Sequence, residues 1–170
     1  MEMADSRRAV VTLPSDTEIL ITRQFDAPKH LVYKAWTTPD LIKRWWSGDR
    51  GTVTVAEVDL RVGGGWRYVM MANQGFELAF HGEYREIVPN EQIVATEVFE
   101  MPGAEAMPDD HAPVSTVTFA ESDGRTTLTI LTRTTSKDMR DAIISSGMED
   151  GMQEQMDHIE KLVASQELRT

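Results

Sequence analysis

The alternation of apolar and polar residues changes its period along this chain. Residues 17–25 alternate as a strand does, and residues 26–46 place apolar side chains at helical spacing in two short segments divided by Pro39. From residue 52 to about 134 the period is two, and beyond about 137 it is helical again. The pattern predicts one strand, two short helices, a run of strands and a long C-terminal helix.

Turn-forming residues divide the central region into six candidate strands. Glycine, asparagine, aspartate and proline cluster at 62–65 (VGGG), 73–75 (NQG), 89–91 (PNE) and 122–124 (SDG). Connectors this short favour antiparallel neighbours. The predicted strands are 52–61, 65–73, 76–88, 91–101, 114–121 and 125–134, and the proline-containing segment 101–113 is predicted to be a long loop.

The C-terminal stripe of methionine, isoleucine and valine runs from Met139 to Val163, which predicts a helix roughly 40 Å long. One helix can cover a sheet of six to seven strands only if the sheet curls around it, and such curling leaves space between them. We therefore predict an α+β fold in which a curved antiparallel sheet surrounds a long C-terminal helix. Residues 1–15 are predicted to form a flexible arm, and residues 16–167 a single domain.

The composition excludes several classes of function. With no cysteine, the chain has no disulfide, no thiolate nucleophile and no cysteine-bound metal. The net charge is -11 and the lysines and arginines form no dense patch, which disfavours nucleic acid and anionic membranes as partners. No apolar run is long enough for a membrane span or a signal peptide. We therefore expect a cytoplasmic protein.

Two features suggest a cavity between helix and sheet. Gly147 and Gly151 lie one turn apart in the predicted helix, where each costs about 1 kcal/mol relative to alanine. Close backbone packing would explain them, and so would a hollow lined by methionines. The strands at 65–73 and 76–88 also place aromatic side chains on one face, with the small Gly82 among them.

The sequence shows no catalytic or cofactor-binding motif. The four histidines are widely separated, and no metal-ligand spacing, nucleophile elbow, phosphate loop or dinucleotide fingerprint is present. We therefore predict no metal, no cofactor and no identifiable catalytic residue. His81 and Glu83, on one face of a predicted strand, would serve as acid and base only if that face pointed inward.

The ordered motifs FDAPKHLVYKAWTTPDLIKRWW, DLRVGGGWRYVM, FHGEYREIVPNEQIV and RDAIISSGMEDGM resemble the activator of heat-shock protein 90 ATPase homologue family, within the START-like (SRPBCC) superfamily. The resemblance covers about residues 17–165 and implies a helix-grip fold with a hydrophobic cavity. It also implies that Trp45 and Trp46 lie at the cavity entrance. The chain has WWSGD, VGG and Met152 where relatives commonly have WWGP, PGG and tryptophan, so no relative's ligand is transferred.

Three functions follow as hypotheses. The first is non-enzymatic binding of a small hydrophobic or aromatic molecule. The second is a cyclase-like or hydrolytic enzyme that uses the same cavity, and the third is a chaperone-interaction module, with a role in stress response, which the family name implies. An exposed sheet edge also permits a homodimer. The predicted ligand-binding residues are Trp45, Trp46, Trp66, Tyr68, Met70, Phe80, Ile144, Met148 and Met152, with Arg67, His81 and Glu83 as polar orienting groups.

Overall fold

The computed structural model describes residues 8–100, 111–165 and 168. Its strands are β1 (Val10–Thr12), β2 (Glu18–Phe25), β3 (Gly51–Val58), β4 (Gly65–Ala72), β5 (Glu77–Val88), β6 (Gln92–Thr96), β7 (Val98–Glu100), β8 (Val114–Ser122) and β9 (Arg125–Arg133). Its helices are α1 (Lys29–Thr37), α2 (Pro39–Trp45), α3 (Lys137–Ser145) and α4 (Met148–Ala164). The predicted strand 17–25 is therefore followed by two short helices, as the pattern indicates.

The strands form one antiparallel sheet in the order β1-β2-β9-β8-β6-β5-β4-β3. Strand β7 pairs with β5 beyond the end of β6, after an interruption at Glu97. The predicted α+β class and its large antiparallel sheet are confirmed. The described residues contain nine strands rather than six to seven, because β1 adds one and the interruption divides the predicted strand 91–101.

The N-terminal segment differs from the predicted flexible arm. Val10–Thr12 pairs with β2 at the edge of the sheet, where an unpaired strand would otherwise expose its backbone N–H and C=O groups. The Ala9 N–H donates to Oε1 of Gln153 at 3.0 Å, and the Ala9 carbonyl accepts from Nε2 of the same side chain at 2.8 Å. Residues 8–12 are thereby attached to both the sheet and α4, while residues 1–7 lie outside the described part of the chain.

The C-terminal helix is divided where the sequence predicts one continuous helix. Helix α3 begins at the N-cap Ser136, whose hydroxyl accepts from the Met139 N–H, and it ends before Gly147. Gly147 has a φ of +84°, a left-handed conformation that glycine adopts without steric cost, and α4 begins after it. Of these two glycines, only Gly151 therefore lies inside a helix. Gly147 provides the left-handed residue at which the predicted helix is broken.

The core lies between the helices and the inner face of the sheet. Leu31 and Val32 of α1, Ile42 of α2, and Met156 and Ile159 of α4 are all buried within it. This packing holds α1 and α2 at one end of the space between the sheet and α4. No helix formed by the described residues is both long enough and apolar enough to cross a bilayer.

Candidate functional site

A cavity of about 630 Å³ lies between the inner face of the sheet and helices α3 and α4. Its lining is mostly apolar and aromatic, with contributions from seven strands, from α3 and α4, and from the end of α1 and of α2. Phe99 is 46% exposed, and Ala142 and Ser146 are also exposed although they line the cavity. The cavity therefore opens to solvent between β7 and the junction of α3 with α4.

All four tryptophans of the chain line this cavity. Trp45 is only 3% exposed, its indole N–H donates to the Ala35 carbonyl at 2.8 Å, and its ring stacks on Trp36 at a centroid distance of 4.9 Å. These contacts fix Trp45 as an interior wall. The expectation that it lies at the entrance is wrong, because α2 packs its tryptophan back onto α1.

Trp46 joins the sheet to α4. Its ring meets Tyr68 and Phe80 edge-on, with both centroid distances at 5.5 Å, an arrangement favoured by the ring quadrupoles. Its carbonyl accepts a hydrogen bond from the Gln155 side chain of α4. Trp46 is half-buried and bridges the aromatic strands and the helix at the end of the cavity formed by α2.

The connection that follows Trp46 is held against α4 by polar contacts. The Asp49 N–H donates to Oε1 of Glu154 at 3.1 Å, and Nε of Arg50 lies 3.3 Å from the same oxygen. Nε2 of His158 lies 2.8 Å from Oδ1 of Asp49. These contacts fix the α2–β3 connection beside the wall that Trp46 forms.

The position of the Trp66 ring requires a glycine at the residue opposite it on β5. Its indole N–H donates to the Thr96 carbonyl at 3.2 Å, and Gly82 is its register partner on β5. A Cβ at Gly82 would lie 1.9 Å from the Thr96 carbonyl oxygen and 2.5 Å from the Trp66 indole nitrogen. Gly82 therefore permits the close approach of the β6–β7 interruption and of the Trp66 ring.

One carboxyl, that of Glu97, lies among these aromatic rings. Glu97 occupies the interruption between β6 and β7 and lines the cavity, and burial among protein atoms raises the pKa of its carboxyl above the ordinary 4.5. No lysine, arginine or histidine lines the cavity within the described residues. Within the same part of the chain, the Glu97 carboxyl has neither a hydrogen bond nor an ion pair.

Two tyrosines supply hydroxyl groups to the same cavity. The Tyr68 and Tyr84 hydroxyls interact with each other. Burial first, and then this interaction and the negative charge of Glu97, raise the pKa of Tyr68 well above its ordinary value. Burial raises the pKa of Tyr84 to about 12. Both hydroxyls are therefore protonated at neutral pH and available for hydrogen bonds.

The opposite face of the same strands carries a separate polar cluster. Glu100 receives two hydrogen bonds from the Arg67 guanidinium, at 3.1 and 3.2 Å, and Nδ1 of His81 lies 2.7 Å from its Oε2. The hydrogen bond from Arg67 is the main cause that lowers the pKa of Glu100. With Glu57 and Trp66 these residues line a shallow surface depression of about 420 Å³.

The family model for "Activator of Hsp90 ATPase homolog 1-like protein" matches residues 26–164, most of the chain. The chain belongs to this family. Its fold is the START-like helix grip that the sequence resemblance implies. No curated protein matches the sequence. The family model begins after β2, so the β1–β2 edge lies outside the matched residues.

Three solved structures illustrate how widely the fold of this family member is shared. A protein from Arthrobacter aurescens has a TM-score of 0.81 at 22% identity, over 91% of each chain. A protein from Rhodobacter sphaeroides has a TM-score of 0.80 at 20% identity, over 92% of this chain and 97% of its own. A protein from Chromobacterium violaceum has a TM-score of 0.75 at 28% identity, over 89% of this chain and 99% of its own.

The structure places most of the predicted ligand-binding residues of this family member together. Seven of the nine line the cavity, namely Trp45, Trp46, Trp66, Tyr68, Phe80, Met148 and Met152. Met70 does not, because it packs with Val53 and Ala72 in a second small core. Ile144 does not line the cavity and is 36% exposed, because Met139, Ala142 and Ile143 are the α3 residues that face the cavity.

The predicted polar orienting residues lie outside the cavity. Arg67 pairs with His81 across β4 and β5, so both side chains point to the face opposite Tyr68 and Phe80. Glu83 is exposed and its Oε1 lies 3.7 Å from Nε of Arg85. All three expectations are wrong for the same reason, since alternation in a strand sends odd and even positions to opposite faces.

Glu97 is an inward-facing acidic residue that was not predicted from the sequence. Ile93, Ala95, Glu97 and Phe99 all line the cavity, at alternate positions of the predicted strand 91–101. The sequence therefore shows a carboxyl on the same strand face as these apolar residues. No group of three or more side chains able to hold a metal ion lies among the described residues, so Glu97 is not part of such a group.

Proposed function

We propose that this protein binds a small apolar or aromatic molecule in the cavity between the sheet and helices α3 and α4. The observation that carries this proposal is the cavity itself, about 630 Å³ and lined by all four tryptophans. Small-molecule sites have volumes of about 300–1,000 Å³ and apolar walls with a few polar groups. The methionines Met148, Met152 and Met156 add adaptable walls on the helix side.

The proposal is tested with Nile red, a neutral apolar dye whose emission increases in apolar surroundings. We expect the dye to gain emission, to alter tryptophan fluorescence and to raise the melting temperature, because binding only the folded state stabilises it. Native mass spectrometry of protein purified from cells then identifies a natural ligand. If Nile red and similar neutral apolar probes change none of these signals, the proposed function is rejected.

Two variants on one strand distinguish cavity binding from surface binding. Ala95 of β6 lines the cavity, whereas its neighbour Val94 does not. Ala95→Phe fills cavity space and should weaken dye binding about tenfold, equivalent to ~1.4 kcal/mol. Val94→Phe adds a ring of the same kind to the other face and should leave binding unchanged. Equal binding by both variants would place the dye on the surface and contradict the proposal.

Catalysis in the same cavity is a second candidate, because Glu97 supplies an inward titratable carboxyl beside the Tyr68 and Tyr84 hydroxyls. The measurement is mass spectrometry of a small-molecule extract incubated with the protein. A mass change that the wild type produces and Glu97→Gln does not would support an enzyme. No mass change, or the same change with both proteins, would reject a role for Glu97 in catalysis.

A chaperone partner is supported by the family description and by the net charge of -11 alone. Charged contacts are strongest at low ionic strength, so a pull-down of purified chaperone at low salt is the sensitive test. Failure to recover the chaperone under these conditions rejects this candidate.

A further inference from the structure

Among the described residues, the cavity has one carboxyl in its lining, and that carboxyl has no hydrogen-bond or ion-pair partner. Glu97 is the only ionisable acid or base, apart from the tyrosines, among the described lining residues. Its carboxyl faces the cavity from the interruption between β6 and β7, where Ala95 and Phe99 precede and follow it in the same phase. An unpaired carboxylate in apolar surroundings is costly, so a ligand that supplies a partner gains from meeting it.

The surroundings of Glu97 favour a positive partner over a neutral one. Tyr68 lies close enough for the charge of Glu97 to affect its hydroxyl, and the Trp66 ring lies beside Tyr68 at a centroid distance of 4.8 Å. Aromatic faces attract cations through their quadrupoles. A carboxylate next to aromatic rings therefore combines an ion pair with cation–π contacts, and both act on the same charged end of a ligand.

We propose that the cavity selects an apolar amine, a molecule with an aromatic or aliphatic body and one protonated nitrogen held by the Glu97 carboxylate. This inference rests on the proposed binding function and specifies its ligand class. The apolar body occupies the space between the tryptophans and the α4 methionines. The nitrogen donates hydrogen bonds to Glu97, with the hydroxyls of Tyr68 and Tyr84 nearby.

The same geometry disfavours an anionic ligand. A ligand carboxylate would place a second negative charge in the cavity with Glu97, and no lining lysine, arginine or histidine among the described residues would offset it. Burial already raises the pKa of Glu97, so a second negative charge would add to an existing penalty. The overall charge of -11 also attracts cations and repels anions.

Three probes with one ring system test the ligand class. They are 1-naphthylmethylamine, which is protonated at pH 7, the neutral 1-naphthalenemethanol, and the anionic 1-naphthoate. Isothermal titration calorimetry measures each dissociation constant at about 0.15 M salt, where long-range surface attraction is screened. We expect the amine to bind about tenfold more tightly than the alcohol, as for a hydrogen bond to a charged group, and the naphthoate to bind least.

Two variants assign the preference to one carboxyl. Glu97→Gln keeps the side-chain shape and removes the charge, so the amine should then bind no more tightly than the alcohol. Glu83→Gln removes one charge from the exposed face of the same sheet and should leave the tenfold preference intact. Circular dichroism checks that both variants fold, and the comparison of probes on the wild type decides the ligand class without either variant.

The outcomes separate the two proposals. If the alcohol binds and the amine binds no better, the amine inference is overturned while cavity binding stands. If the preference survives in Glu97→Gln, the charge that selects the amine lies elsewhere and the assignment to Glu97 is overturned. If none of the three probes binds, the binding function and the inference are both contradicted.

Discussion

Glu97 and Glu100 lie three residues apart and occupy opposite faces of the sheet. Glu97 faces the cavity without a partner in the described part of the chain, and burial raises the pKa of its carboxyl. Glu100 faces outward, where Arg67 and His81 both contact it, and its pKa is lowered. The same residue type therefore has a raised carboxyl pKa on the inner face of the sheet and a lowered carboxyl pKa on the outer face.

The comparison shows why a polar residue with many partners is the weaker candidate for ligand recognition. Glu100 already has its hydrogen bonds, so a ligand would have to break the contacts with Arg67 to reach it. The Glu97 carboxyl has no hydrogen bond within the described residues, so its oxygens can accept hydrogen bonds from a ligand. An unpaired polar group in a cavity is therefore a better indicator of a binding site than a connected cluster on the surface.

The largest effect on stability is expected from Gly82→Ala, which would disturb the strand geometry that places Glu97 and Glu100 on opposite faces of the sheet. The added Cβ would lie 1.9 Å from the Thr96 carbonyl oxygen, so the interruption that carries Glu97 must move. We expect a loss of about 3 kcal/mol or more in the free energy of unfolding, at the upper end for overpacking. Urea denaturation measures it.

Gly65→Ala is the matched control for that substitution. A Cβ at Gly65 would lie 3.5 Å from the Gly82 carbonyl oxygen, which is an ordinary contact, and Gly65 is on the neighbouring strand. This variant should change the free energy of unfolding by less than about 1 kcal/mol. Equal losses at Gly82 and Gly65 would show that the close approach to Thr96 does not hold the interruption in place.

Hydrophobic periodicity was sufficient to predict most of the fold. Alternation and short turns fixed the antiparallel neighbours, and the positive φ angles of Asn90 and Asp123, 64° and 55°, fall within two of the predicted turns. The break at Gly147 was not predicted, because the apolar stripe continues across it. Hydrophobic periodicity does not reveal a residue with a left-handed backbone conformation. A glycine at position 147 is therefore compatible with a helix interior as well as with a break.

The site was predicted less completely than the fold. The aromatic wall followed from alternation in β4 and β5, whereas the polar group was sought among Arg67, His81 and Glu83, which are out of phase with Trp66 and Phe80. The alternation of inward and outward positions along the predicted strand 91–101 was sufficient to predict that Glu97 faces inward. That its carboxyl lacks a partner among the described residues could not be predicted from the sequence, because this depends on which strands and helices surround it after folding.

On the inner face, removing the charge of Glu97 tests whether its carboxyl is unpaired. Glu97→Gln should raise the free energy of unfolding at pH 7 by on the order of 1 kcal/mol, since it removes a charge that lies in the cavity wall with no partner among the described residues. Because the folded-state pKa is raised, the wild type gains stability relative to the variant as the pH falls through that pKa. Below about pH 4.5 the two proteins should be equally stable.

Thermal unfolding of both proteins between pH 4 and pH 8 measures this difference. Tyr68 and Tyr84, the other titratable groups that the described residues place at the cavity, stay protonated over this range because burial raises both of their pKa values. A variant less stable than the wild type at pH 7 would show that the Glu97 carboxylate has a stabilising partner. The contrast with Glu100 would then disappear.

The smallest effect is expected on the outer face, with the opposite sign. Glu100→Gln should lower the free energy of unfolding at pH 7 by about 1 kcal/mol or less, because solvent screens a pair whose side chains are 42% and 34% exposed. The lowered pKa means that this stabilisation is present above about pH 4.5 and lost as the pH falls further. Glu86→Gln, at an exposed acid on the neighbouring strand β5, controls for net charge in the same thermal melts. If Glu100→Gln and Glu97→Gln shift stability in the same direction, the contrast between a paired and an unpaired carboxyl is wrong.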